Sequence, residues 1–198
     1  RESGINILPN ADFKELPLTI LQLLWINLIM DTLAALALSL EPKRDELMSE
    51  PPKRRNESFI TRSMAENVLI MGVIFILVTL GMQATGWYLG VDPADAKMVS
   101  SVVFSSYVFM QVFNLFNARS VKPTRSAFAN LWHSRNFLLV MGLIVIVQVL
   151  LTQFGGAAFN TAPLGWITWL YILGLGLAVL IIGEISRQIR RHISPTKR

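Results

Sequence analysis

The sequence contains no cysteine, and charged residues make up only 16% of its 198 residues. The absence of cysteine excludes disulfide bonds and cysteine-ligated metal sites. The charged fraction is well below the roughly 25% that is usual in soluble domains. Because 53% of the residues are hydrophobic, the composition argues against an ordinary soluble domain and predicts an integral membrane protein.

Five apolar windows follow one another along the chain, at 16–40, 64–89, 98–116, 137–154 and 164–185. Each is long enough to cross a hydrocarbon core of ~30 Å as a helix. We therefore expect an all-α fold, an integral membrane helical bundle of about five transmembrane helices. The whole of 1–198 is expected to be one membrane domain with a loop at 41–62.

Basic residues alternate between the two sides of these windows. Most of the 18 Lys and Arg residues fall in the loop 41–62, the connection 117–136 and the tail after 186. The positive-inside rule predicts that these three segments are cytoplasmic, which leaves the N-terminus outside and the C-terminus in the cytoplasm. An external N-terminus without a targeting signal leads us to expect the C-terminal part of a longer protein.

The net charge of +5 does not indicate nucleic acid binding. No basic patch is interleaved with aromatic residues in a soluble module, so no nucleic acid partner is expected.

Asp31 lies near the middle of the first apolar window. A carboxylate at the centre of a membrane helix costs about 2.5–3.5 kcal/mol, and such residues usually handle an ion, a proton or a substrate. Asn27 precedes Asp31 by four residues, a spacing that aligns two side chains on one face of an α-helix. We therefore treat both as candidate metal ligands.

The third window adds Gln111 and Asn114, whose spacing of three keeps them on roughly one side of a helix. Asn117, at the same spacing, is expected to be a helix cap. Oxygen donors of this kind suit hard cations such as Ca²⁺ or Mg²⁺. Asn27, Asp31, Gln111 and Asn114 together supply fewer oxygens than the about 6–8 that Ca²⁺ takes, so further ligands are expected from elsewhere.

Other polar and small residues in the windows have structural interpretations. The amides of Gln22, Gln83 and Gln148 are expected to bond neighbouring helices. Five glycines are expected to permit close helix contact: Gly72, Gly142, Gly174, Gly176 and Gly183.

Two segments resemble a known family. Residues 24–32 (LWINLIMDT) and 37–42 (ALSLEP) look like the sixth transmembrane helix of P-type calcium-transporting ATPases. Residues 110–117 (MQVFNLFN) are similar to the eighth helix of that family. The resemblance covers essentially the whole chain, from the loop before the sixth helix through the tenth.

By this resemblance, Asn27 and Asp31 match two ion ligands of the sixth helix. Met30 stands where the sarcoplasmic-reticulum type has a threonine ligand, and Gln111 stands where that type has a glutamate. The pattern is more similar to plasma-membrane-type pumps and their bacterial relatives, which are taken to move one Ca²⁺ per cycle. Met30, Gln111 and Asn114 are thus possible metal ligands or residues that support the ligands.

The resemblance implies the C-terminal membrane domain of an ATP-driven calcium pump, a translocase with Ca²⁺ as the transported ion and possible H⁺ counter-transport. The phosphorylation and ATP-binding motifs have no match in this chain, so ATP and Mg²⁺ belong to domains outside it. No catalytic residue or bound cofactor is expected here. The implied partners are the lipid bilayer and the missing N-terminal part of the same pump, in a bacterial inner (plasma) membrane.

Three alternatives stay open. Secretory-pathway calcium/manganese pumps also have methionine before the aspartate, but glycine where this chain has Thr32. A stand-alone five-span secondary cation transporter, in which oligomerisation could supply the missing ligands, lacks the support of inverted repeats or broken helices, the usual signs of a transporter. A structural membrane subunit would pair Asp31 with a basic residue of a partner.

Overall fold

The computed structural model describes residues 18–41, 62–85, 88, 90–119, 128 and 131–193. All regular elements in these ranges are helical, and five helices are long and apolar enough to cross a membrane. They are α1 (Ile20–Ser39), α2 (Arg62–Thr85), α3 (Ala96–Arg119), α4 (Arg135–Phe154) and α6 (Trp166–Ile193). A short α5 (Gly156–Phe159) and a 3₁₀ turn (Leu131–His133) complete the set. The prediction of an all-α membrane bundle is confirmed, whereas most of the loop 41–62 lies outside the described residues.

The helix α1 begins directly after Thr19, which caps it. The Thr19 hydroxyl accepts from the main-chain N–H of Gln22 at 3.4 Å, and the Gln22 side-chain oxygen accepts from the Thr19 N–H at 2.9 Å. This reciprocal capping box satisfies two main-chain donors at the helix start. The helix therefore begins at Ile20, later than the start of the apolar window at 16.

One turn of α1, over Trp25–Met30, is a π-helix. At its end the N–H of Asp31 bonds to the carbonyl of Ile26, five residues earlier. Single π turns are rare and are often found at functional sites. The turn buries Trp25, Ile26 and Met30 and leaves Asn27 exposed.

The most buried of the five spanning helices is α3, and it packs most extensively against α6. Two glycines of α6 allow this approach, because a Cβ at Gly176 would overlap the Phe113 ring and one at Gly183 would overlap the Asn117 amide. The predicted role of these two glycines is confirmed. At Gly72, Gly142 and Gly174 an added Cβ would meet no atom of the described residues within 4 Å, so close helix contact at these three glycines stays a prediction.

A buried arginine joins three helices at one end of the bundle. The Arg119 guanidinium pairs with the Glu41 carboxylate just after α1, with Nη2 at 3.2 Å from Oε2. It also donates to the Ser134 hydroxyl at 2.8 Å and lies 4.9 Å from the centre of the Phe137 ring. The helix α3 continues past the predicted window to reach this position, and the ends of α1, α3 and α4 are held together.

Candidate functional site

A cleft of about 620 Å³ is lined by residues of α1, α2 and α3. Its walls are mostly apolar, with a few amide and hydroxyl groups among them. Asn27 of α1 and Gln111 and Asn114 of α3 all line this cleft. The structure therefore brings together three of the five site residues that the sequence singled out.

The residues of α1 that line this cleft lie before and within the π turn. Asn27 lies within the turn and lines the cleft together with Ile26. Asp31 comes directly after the turn, has an exposed side chain and is not among the residues that line the cleft. Met30 is 1% exposed and packs in the apolar core instead.

Both amides of α3 keep a carbonyl oxygen that can accept a bond. Gln111 donates from Nε2 to the Tyr107 hydroxyl at 3.3 Å, which leaves its Oε1 available. The Oδ1 of Asn114 is buried and has no hydrogen-bond partner among the described residues. Buried polar atoms are nearly always bonded in folded proteins, so this oxygen is a candidate acceptor for a group outside the described residues.

Asn117 is not among the residues that line the cleft. It is buried against α6, and α3 continues beyond it to Arg119, so the prediction of a helix cap is wrong. The physical reason is that the Asn117 side chain bonds to Val179 and Arg187 of α6 instead of to the end of its own helix.

Sequence reasoning missed three polar residues of the cleft: Asn67, Thr79 and Tyr107. Asn67 and Thr79 are separated by twelve positions on α2 and both line the cleft. Tyr107 precedes Gln111 by four residues and is its hydrogen-bond partner. The signal that could have found them is the helical spacing of polar residues within apolar windows.

The oxygen atoms of Asp31 and of the cleft residues that could bind a cation belong to amides, hydroxyls and one carboxylate. In the part of the chain that the structure describes, no three His, Cys, Asp or Glu side chains lie together as a metal-binding group. Asp31 contributes a single negative charge, and the cleft residues contribute neutral oxygens. The arrangement can form part of a site for a hard cation.

Comparison with known proteins gives a family match over most of the chain. The family model described as the C-terminus of cation-transporting ATPases matches residues 15–189. This range includes all of the cleft residues named above.

Individual relatives are calcium-transporting ATPases of the plasma-membrane type. A probable calcium-transporting ATPase 9 from Oryza sativa subsp. japonica is 39% identical over 188 residues, which cover 93% of this chain and 18% of that protein. The plasma membrane calcium-transporting ATPase mca-1 of Caenorhabditis elegans is 40% identical over 181 residues, covering 87% of this chain and 14% of that protein. Calcium-transporting ATPase 8 of Arabidopsis thaliana is 37% identical over 179 residues, covering 87% of this chain and 16% of that protein.

The chain thus spans less than a fifth of the length of these relatives. They are plant and nematode proteins, so they give no support to the expectation of a bacterial membrane.

Proposed function

We propose that this chain supplies part of the intramembrane cation site of an ATP-driven Ca²⁺ pump. The premise is that the chain belongs to the C-terminal region of the P-type calcium-transporting ATPases. The observation that carries this proposal is the grouping of Asn27, Gln111 and Asn114 around one cleft, with Asp31 at the end of the same π turn.

In this proposal Asp31 and Asn27 are ligands of the transported Ca²⁺. The Asp31 carboxylate supplies the negative charge, and the Asn27 amide supplies a neutral oxygen. Gln111 and Asn114 either complete the ligand set with their free carbonyl oxygens or orient the other ligands. Since Ca²⁺ takes about 6–8 oxygens, the rest of the set comes from earlier helices of the same pump.

The transport cycle would use these residues in two states. Ca²⁺ binding from the cytoplasmic side replaces the water around the ion with the oxygens of Asn27 and Asp31. Phosphorylation outside this chain then tilts the helices and opens the site to the other side. Once Ca²⁺ leaves, a carboxylate in a low-dielectric surrounding binds a proton more readily, and Asp31 would carry H⁺ back.

In this proposal ATP and Mg²⁺ act in domains of the pump outside this chain, and this chain contributes the membrane part of the translocase. The basic segments around 41–62 and after 186 lie in the cytoplasm in this arrangement. Single cysteines at Asp92 and His133, which are exposed on opposite sides of α3 along the chain, would test the orientation. An impermeant maleimide added to intact cells should label position 92 and not position 133.

The test of the function is Asp31→Asn in the full-length pump. We expect loss of Ca²⁺-dependent phosphorylation by ATP, while phosphorylation by inorganic phosphate without Ca²⁺ persists. Asp92→Asn removes an exposed carboxylate between α2 and α3 and is the matched control. Normal Ca²⁺ transport by the Asp31→Asn pump would contradict the proposal.

A further inference from the structure

A buried polar network connects α1 to α3 and α4. The indole Nε1 of Trp25 donates to Oε1 of Gln148 at 2.9 Å. The amide Nε2 of Gln148 lies 3.2 Å from the Thr152 hydroxyl and 3.5 Å from the Ser105 hydroxyl. The two hydroxyls lie 2.8 Å apart, and Thr152 also donates to the Gln148 main-chain carbonyl at 2.9 Å.

The chemistry of the partners fixes the orientation of the Gln148 amide. An indole nitrogen can only donate, so the oxygen of Gln148 must lie toward Trp25 and its nitrogen toward the two hydroxyls. Gln148, Ser105 and Thr152 are all fully buried, and each of their side-chain polar atoms has a partner. Such a network favours one rotation of α1 against α4 over its alternatives.

The network ends at the residue where α1 changes its hydrogen-bond pattern. Trp25 is the first residue of the π turn, and Asn27 follows two residues later. The turn before it is also fixed, because the Gln22 amide donates to the Phe159 carbonyl at 2.8 Å and to the Ser100 hydroxyl at 3.2 Å. The start of α1 is therefore held from α3, α4 and α5 up to Trp25.

We infer that Gln148 is a positioning residue for the cation site: by holding the Trp25 indole it fixes the start of the π turn and so the direction in which Asn27 enters the cleft. The inference rests on the proposed function. Among the described residues, the Gln148 side chain bonds to Trp25, Ser105 and Thr152, none of which is a candidate ligand, so it acts through Trp25. Its loss should change how well the site fits Ca²⁺ and leave phosphorylation in the other domains intact.

The experiment compares Gln148→Met with Gln153→Met in the full-length pump. Both residues lie on α4 and both variants lose hydrogen bonds, but the side chain of Gln153 bonds to the main chain of Leu164, shortly before α6, rather than to a residue of α1. The readouts are the Ca²⁺ concentration for half-maximal phosphorylation by ATP, the maximal phosphoenzyme level, and phosphorylation by inorganic phosphate without Ca²⁺.

We expect Gln148→Met to raise the half-maximal Ca²⁺ concentration by about three- to tenfold, the effect of losing the hydrogen bond to Trp25 inside a membrane. Its maximal phosphoenzyme per folded pump should be unchanged, and Gln153→Met should stay within about twofold of the unmodified pump. Trp25→Phe should reproduce the shift, and the double variant should add little to it, because both changes remove the same bond.

Equal Ca²⁺ curves for the Gln148→Met and Gln153→Met pumps would overturn the inference. So would a fall in the amount of folded Gln148→Met pump with no change in its Ca²⁺ dependence, which would make the network a matter of stability alone. If Asp31→Asn abolishes Ca²⁺-dependent phosphorylation while Gln148→Met has no effect, only the inference fails. If Asp31→Asn leaves the Ca²⁺ dependence of phosphorylation intact, the proposed function itself fails.

Discussion

The guanidinium of Arg187 donates to the side-chain oxygen of Asn117 at 2.9 Å inside the contact between α3 and α6. The same arginine pairs with Glu184 at 2.6 Å, and the Asn117 amide donates in turn to the Val179 carbonyl at 3.2 Å. Both Arg187 and Asn117 are almost fully buried. The amide oxygen of Asn117, in the middle of the chain, therefore accepts a hydrogen bond from a charged group near the C-terminal end.

Asn117→Ala should lower the free energy of unfolding by about 1–3 kcal/mol, because it removes an acceptor from the buried Arg187 charge. The measurement is the thermal unfolding temperature of the purified protein in detergent. Asn136→Ala is the control, since Asn136 is exposed on the first turn of α4. Equal unfolding temperatures for the two variants would show that the Asn117 contact contributes nothing.

Gly176→Val should destabilise the protein by about 1–3 kcal/mol, the usual cost of forcing extra atoms into a packed contact. The added side chain would overlap the Phe113 ring and push α6 away from α3. Gly174→Val is a close control, because a Cβ there meets nothing within 4 Å. The thermal unfolding temperature should fall for the first variant and stay unchanged for the second.

Asn114→Leu should raise the Ca²⁺ concentration for half-maximal phosphorylation of the full pump by about tenfold, or about 1.4 kcal/mol of binding free energy. The reason is that its buried Oδ1 has no partner among the described residues and is thus available to an ion. Thr85→Val, at the exposed end of α2, serves as the control. An unchanged Ca²⁺ curve for Asn114→Leu would remove this residue from the ligand set.

Tyr88, between α2 and α3, is expected to make the stability of the protein depend on pH in the alkaline range. Burial, and secondly the neighbouring Tyr171, raise the pKa of the Tyr88 phenol above its ordinary value of 10.0. Since the pKa in the folded state is the higher one, this contribution to stability is complete below about pH 10 and is lost as the pH rises further. Unfolding temperatures measured between about pH 9 and pH 11 should fall less steeply for Tyr88→Phe than for the unmodified protein. Equal slopes of unfolding temperature against pH for the two proteins would contradict this prediction.

The five spanning helices could be predicted because length and apolarity are local properties of the sequence. The prediction that Gln22 and Gln148 bond neighbouring helices is confirmed. Their partners could not be predicted, because Phe159 and Trp25 lie more than a hundred residues away along the chain. The same limit explains the wrong assignment of Asn117, whose partners belong to α6.

For the candidate site, the spacing of three between Gln111 and Asn114 correctly predicts that both reach one cleft. The roles of Asn27 and Asp31 as ligands stay predictions. Their different relation to the cleft could not be foreseen, because the spacing argument assumes regular α-helical hydrogen bonds and the π turn replaces them between the two residues.

The π turn also has a consequence for insertions and deletions in this helix. A hydrogen bond that spans five residues encloses one residue more than an α-helical turn does, so Trp25–Met30 contains a residue that a uniform helix would not need. Removing one residue there would restore the regular pattern while Asp31 and the residues after it keep their side of the helix, because the wide turn already absorbs the extra residue. The same deletion in the regular part of α1, over Asp31–Ser39, would turn the residues that follow it by about 100° around the axis. The helix α1 therefore tolerates a lost residue within the π turn better than elsewhere along its length.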